Sequence, residues 1–289
     1  MSNPIWRAGA CALAVALAFG APHATFAADD SGQDIRAEMQ KLPWQLGPAA
    51  ADVGTRSKIQ VPDGARLLPE SSGSRFLELT GNLPEPGDTV LVRNGWWATL
   101  SFEESGYVKD DEKLDPDALL AALNKNEEQA NEQRRQRGMA TLTNDGWIVQ
   151  PHYDPTTKFL EYGLRLHSSD SPRPVVNYTM RLLSRRGYET VILVTSPDTL
   201  DRDVKDLHQV LDGFKFNPGE TYSEFRAGDH VAEFGLGALV LGGAAAAAVK
   251  AGWFKGLLAA LVAGWKLVAA AAVAAVAGLK RLFGRATGR

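Results

Sequence analysis

Acidic side chains are missing from both ends of this chain. Before Asp29 the only charged residue is Arg7, and after Glu233 there is no Asp or Glu. The middle holds 23 of the 31 basic residues and all 34 acidic ones, a net of −11. A chain divided in this way predicts an acidic folded body between two apolar ends. The acidic body argues against a nucleic-acid partner, because phosphate neutralisation needs Lys and Arg. The exclusively basic C-terminal end suits contact with anionic lipid head groups.

Residues 1–27 read as a signal peptide. Arg7 supplies the positive start, Ala8 to Ala21 the apolar stretch, and Thr25-Phe26-Ala27 a small-residue cleavage site. The single cysteine, Cys11, lies within it. The mature chain is then free of disulfides, thiol nucleophiles and cysteine metal sites. Residues 234–283 read as a hydrophobic membrane anchor, followed by a basic tail at 284–289. Gly256 to Leu279 is interrupted only by Lys266, and about 20 apolar residues cross a bilayer.

Lys250, Lys255, Lys266, Lys280 and Arg281 are the expected lipid-contacting cations. Three topologies stay open: one span, a hairpin, or one span followed by a surface helix. The positive-inside tendency favours a cytoplasmic C-terminus. Gly252-x-x-x-Gly256 permits close helix packing, so self-association through these Gly/Ala-rich helices is one expected partnership. A membrane oligomer with a lysine-lined helix seam is an alternative reading of the same residues. The expected location is the inner membrane, with the ectodomain in the periplasm.

Residues 28–216 read as an α+β ectodomain, mainly antiparallel sheet with covering helices. Asp34 to Leu42 suggests a short helix stopped by Pro43. Trp96 to Phe102 alternates as a strand. Asp115-Pro116 is a helix start, and Gly138 ends that helix. Its half from Asn124 to Arg137 is almost wholly polar and is expected to project into solvent. Gly146 to His152 and Lys158 to His167 suggest a hairpin. Val176, Tyr178, Met180 and Leu182 share one face of the next strand. Thr190 to Thr195 reads as a buried central strand. Leu200, Val204, Leu207 and Leu211 form the apolar face of a covering helix. Residues 217–233 read as a polar connector.

No catalytic constellation emerges, and no metal or cofactor is expected. There is no Gly-x-Ser-x-Gly elbow. The run Asp110, Asp111, Glu112, Asp115 and Asp117 lacks the glycine and closing glutamate of a calcium loop. It reads as a solvated loop before a helix. His152, Asp154 and His167 could form a metal or acid–base group if the fold gathered them. That grouping, or scattered carboxylates, is the basis of a hydrolase alternative. The favoured binding patch is Trp147, Tyr153, Asp154, Asn177, Tyr178, Arg181 and Arg186, since aromatics and arginine are enriched at interaction hot spots. The favoured function is a non-enzymatic, membrane-anchored binding module of the bacterial envelope with an envelope protein partner.

Several blocks occur in a characteristic order. They are Gly106-Tyr107-Val108-Lys109-Asp110-Asp111-Glu112, Gly146-Trp147 with Pro151 and Tyr153-Asp154, and Asn177-Tyr178 with Arg181 and Arg185-Arg186-Gly187. Phe216-Asn217-Pro218-Gly219 with Tyr222 and Phe225 follows, and then the tail ending Lys280-Arg281-Leu282-Phe283-Gly284-Arg285. In these blocks the chain resembles a bacterial family of predicted membrane-anchored envelope proteins defined only as a domain of unknown function. The resemblance implies a Gram-negative envelope location and supplies no activity, substrate or catalytic residue.

Overall fold

The structure, a computed structural model, describes residues 30–83 and 87–242. The expected signal, most of the expected anchor, and the cations Lys250, Lys255, Lys266, Lys280 and Arg281 lie outside the described residues. Among the described residues no helix is long and apolar enough to cross a membrane.

The fold is built on an antiparallel sheet of eight strands. In chain order these are β1 (Gln45–Leu46), β4 (Arg66–Leu68), β5 (Thr89–Arg93), β6 (Trp96–Glu103), β7 (Leu142–Asp154), β8 (Phe159–Ser168), β9 (Val175–Leu183) and β10 (Tyr188–Thr195). In space they run β1-β4-β5-β6-β10-β9-β8-β7. A smaller sheet, β11-β3-β2, is formed by β2 (Ala49–Val53), β3 (Ser57–Val61) and β11 (Phe214–Phe216). The expected central strand, Thr190 to Thr195, is central: β10 pairs with both β6 and β9.

Both faces of the large sheet are covered. On the first face Trp96, Leu100, Tyr178, Met180, Val191 and Leu193 pack with the small sheet and with α4 (Leu200–Leu211). On the second face, one half packs against α1 (Asp30–Lys41) and α2 (Glu70–Leu79) through Met39, Phe76, Leu77, Trp97 and Val194. The other half packs against α3 (Pro116–Gln136) and α5 (Leu236–Val240). This is why β9 is buried at all nine positions, although only its even-numbered residues form an apolar face.

Helix α3 begins as its sequence predicts, with Asp115 accepting a hydrogen bond from the Ala118 amide. Its second half does not project into solvent. Asn124, Glu127, Asn131 and Arg134 recur at helical spacing and line the edge strand β7. Asn131 donates to the Leu142 carbonyl at 2.7 Å and accepts from the Leu142 amide at 2.8 Å. Glu127 accepts from the Asn144 amide at 2.9 Å. The buried Arg134 donates to the Ala140 carbonyl and, at 3.3 Å, to that of Gly81. At Leu142 and Asn144, the start of β7, these side chains supply the partners a ninth strand would give.

Residues 217–233, read above as a connector, are also part of the fold. The Asn217 amide donates to the Arg56 carbonyl at 2.8 Å, and the Arg185 amide to Glu220 at 2.9 Å. Tyr107 and Val231 form a parallel bridge. Leu236, Leu239 and Val240, the first part of the expected anchor, are buried with Val108, Leu119 and Leu160. Apolar residues just past the last acid therefore complete a core here.

Removing the Asn131 amide strands one buried donor and one buried acceptor on Leu142. Asn131→Ala should cost about 1–3 kcal/mol, read from the denaturant midpoint. Lys125→Ala, on the exposed side of α3, should change stability by less than about 0.5 kcal/mol.

Candidate functional site

The seven residues of the sequence-derived patch do not form one surface. Alternation along β9 sends Asn177 and Arg181 to the second face of the sheet and Tyr178 to the first. Arg181 is buried, donates to Thr190 Oγ1, and lies over the Tyr188 ring at 5.4 Å. Trp147 is half-buried, donating to the Pro116 carbonyl at 3.0 Å and meeting Tyr162 edge-on. Asp154 shapes the β7–β8 turn, accepting from the Thr156 amide at 2.8 Å and Thr157 Oγ1 at 3.0 Å. Of the set, Tyr153 and Arg186 lie at the corner described below.

The His152/Asp154/His167 grouping is corrected by strand register. His152 pairs with Glu161 and His167 with Thr143, so the histidines stand six residues apart along β8. That is about 20 Å at ~3.3 Å per residue, whereas zinc ligands sit about 2 Å from the ion. His167 contacts Asp145 instead. Among the described residues no three His, Cys, Asp or Glu side chains gather to hold a metal. The acidic run is a loop leading into α3, as expected, with Asp111, Glu112, Asp115 and Asp117 exposed; Glu112 accepts from the Gly237 amide at 3.0 Å and Asp115 caps α3.

Register creates a different cluster that spacing does not reveal. Glu161 on β8 is buried and accepts from the Tyr178 hydroxyl. His208 of α4 places Nε2 3.3 Å from the same carboxylate oxygen, and His152 is its cross-strand neighbour. Burial pushes the Glu161 carboxyl up, but the hydrogen bonds from His208 and Tyr178 and the imidazole charges outweigh it and hold it below the ordinary range. The hydrogen bond to Glu161 raises His208, against a smaller effect of burial. The carboxylate therefore orients one imidazole at the surface, the arrangement that supports acid–base chemistry in other folds. Only Tyr178 of this cluster was in the sequence-derived patch. Glu161 and His208 are 47 positions apart in sequence, so no local pattern links them.

A second cluster forms where the 217–232 segment straps the end of the second face. Asp110 accepts from Tyr153 Oη at 2.7 Å and Lys158 Nζ at 2.9 Å. Lys158 takes φ +64°, a left-handed conformation uncommon for a residue other than glycine. Its ammonium lies 5.1 Å from the centre of the Tyr222 ring. Tyr222 donates to the Val108 carbonyl at 2.8 Å. Tyr107 stacks between Tyr222 and Phe225, with centroids 4.4 and 4.3 Å away. Arg185 grips Asp229 through two hydrogen bonds of 2.7 Å, and this holds the Asp229 carboxyl down at about 2. Gly106 has φ +89°, and a Cβ there would lie 2.6 Å from His230 Cδ2, so glycine lets the strap approach. Phe225 is one of only two large apolar side chains exposed among the described residues.

The sequence matches the family described as "Protein of unknown function (DUF2167)" over residues 45–277. The chain belongs to the DUF2167 family. That description assigns no activity, and no curated protein matches the chain. The chain is also similar to the solution structure of cyanobacterial PsbP (CyanoP) from Synechocystis sp. PCC 6803, at 12% identity, covering 56% of this chain and 86% of that chain, with a TM-score of 0.35. In this DUF2167 member residues of four of the five blocks, far apart in sequence, meet at the strap, and the tail block at 280–285 lies outside the described residues. The Gly106 amide donates to the Arg186 carbonyl, Tyr153 reaches Asp110, and Tyr107 stacks on Tyr222 and Phe225.

In a proton NMR titration His208 should ionise above the usual histidine value, and Glu161→Gln should return it toward about 6.5. The stabilisation from this pair is present below the unfolded-state pKa of histidine and is lost as pH rises through the raised value. Arg185→Gln should make residues 217–232 more accessible to limited proteolysis without changing exchange protection in β9.

Proposed function

We propose that this protein is a membrane-anchored periplasmic protein whose folded domain acts as a non-enzymatic interaction module of the bacterial envelope. Contact is made through the strapped corner. The observation that carries the reading is the exposed Phe225 ring, stacked on Tyr107 at a corner that also carries Lys158, over the Tyr222 ring, and Arg186, whose side chain is 46% exposed. Aromatic and cationic side chains on a firmly held scaffold are what a protein partner can bury with little ordering cost. The corner also lies in the segment leading to α5, after which the apolar, acid-free stretch follows directly in sequence. In this reading that stretch is the anchor.

A hydrolase reading is favoured by one observation, the Glu161–His208 pair supported by Tyr178. Loss of phenotype in His208→Gln with phenotype retained in Phe225→Asp would select it.

The test is in-cell crosslinking followed by recovery of the full-length protein from envelopes. A partner should crosslink to the wild type and be lost in Phe225→Asp, while the two proteins melt within a few degrees of each other. Recovery of the protein alone, or an unchanged partner set in Phe225→Asp, would count against the interaction module. Deleting residues 243–289 should release the protein from the membrane fraction, and a truncated protein that still sediments would contradict the anchor.

A further inference from the structure

Glu189 is a fully buried carboxyl at the junction of the two sheets, in contact with no cation among the described residues. It lies on β10, facing the small sheet with Val191 and Leu193. One oxygen lies 3.3 Å from Ser57 Oγ of β3, whose hydroxyl donates to the Val53 carbonyl at 2.9 Å, and the other has no hydrogen-bond partner among the described residues. The cross-strand neighbours of Glu189, Phe102 on β6 and Leu182 on β9, are apolar. The charged groups that act on it are both acidic: Glu70 at the start of α2 and Asp88 before β5. Arg56, next to Ser57 in the chain, is directed to Glu220 at 3.0 Å and Glu104 at 2.8 Å.

We infer that Glu189 is a proton-operated joint between the sheets, protonated while β2-β3-β11 is seated and ionised when that sheet lifts. An ionised carboxylate in this place would be desolvated, short of donors and repelled by two like charges. The neutral acid fits. Opening the joint gives the carboxyl water, so the open state ionises at the ordinary value. Burial first, then the charges of Glu70 and Asp88, raise Glu189 to about 8. The sign follows from linkage. The seated form binds one more proton than the open form between the ordinary glutamate pKa of about 4.3 and the raised value. Seating is thus strongest in acid and weakens as pH rises. Lifting the small sheet would bare Ala51, Val53, Ile59 and Val61 together with the first-face residues beneath them. The inference does not depend on the cellular location or the partner proposed above.

The experiment is hydrogen exchange of the full-length protein in detergent from pH 6 to 9, with intrinsic base catalysis removed, read at β3 and β11. In the wild type the local opening constant should rise up to about tenfold per pH unit below about pH 8 and then level off. In Glu189→Gln it should not depend on pH. A neighbouring variant keeps the test decisive if Glu189→Gln fails to fold. Glu70→Gln should move the plateau to lower pH by removing a negative charge. A wild-type opening constant that is flat with pH, a slope that persists in Glu189→Gln, or a plateau that ignores Glu70→Gln would overturn the joint.

Discussion

The structure depends on the two-sided burial of β9 and β10. A sheet covered on one face only can present alternate residues to water. Here the first face meets α4 and the small sheet, while the second meets α1, α2, α3 and the strap. Polar residues on the inward side of these covers must find partners inside the protein. Arg181 reaches Thr190, and Tyr188 donates to Glu103 at 2.6 Å. Gly187 makes room where β9 turns into β10, since a Cβ there would sit 1.8 Å from the Glu103 carbonyl oxygen.

The same demand explains two segments that look dispensable in sequence. The polar half of α3 gives the start of the β7 edge, at Leu142 and Asn144, its hydrogen-bond partners. The strap at 217–232 brings the Tyr222 hydroxyl to the Val108 carbonyl and the Asp229 carboxylate to Arg185. Both devices are polar and ordered, and both leave side chains on the outside. At the strapped corner these are Phe225 and Arg186. A binding surface mounted in this way needs little reorganisation when a partner arrives.

Two glutamates show how surroundings set charge. Glu161 is buried beside Tyr178 and His208 and is held ionised. Glu189 is buried beside one hydroxyl and two further acids and is held neutral. Both occupy strands facing the first side of the sheet. The difference is the donor supply, which α4 brings to Glu161 and nothing comparable brings to Glu189 among the described residues.

Much of the sheet could be read locally. Trp96 to Phe102, Thr190 to Thr195 and the even-numbered residues of β9 carry the period-2 pattern. Asp115-Pro116 marks the start of α3, and Leu200, Val204, Leu207 and Leu211 mark α4. These signals are local because backbone geometry repeats every two residues in a strand and every 3.6 in a helix. The candidate site was less legible. Tyr153 and Arg186 do reach the strapped corner, but Tyr178 and Arg181 go to opposite faces, and His152 and His167 to separate ends of one hairpin. Glu161 with His208, Glu189 with Ser57, and Asn131 with Leu142 are joined only by register and packing. By itself the sequence determined the elements and the charge division between an acidic body and acid-free ends. Tertiary structure alone decided which polar residues are inside, because burial depends on what covers each face, and that contact is made by segments distant along the chain.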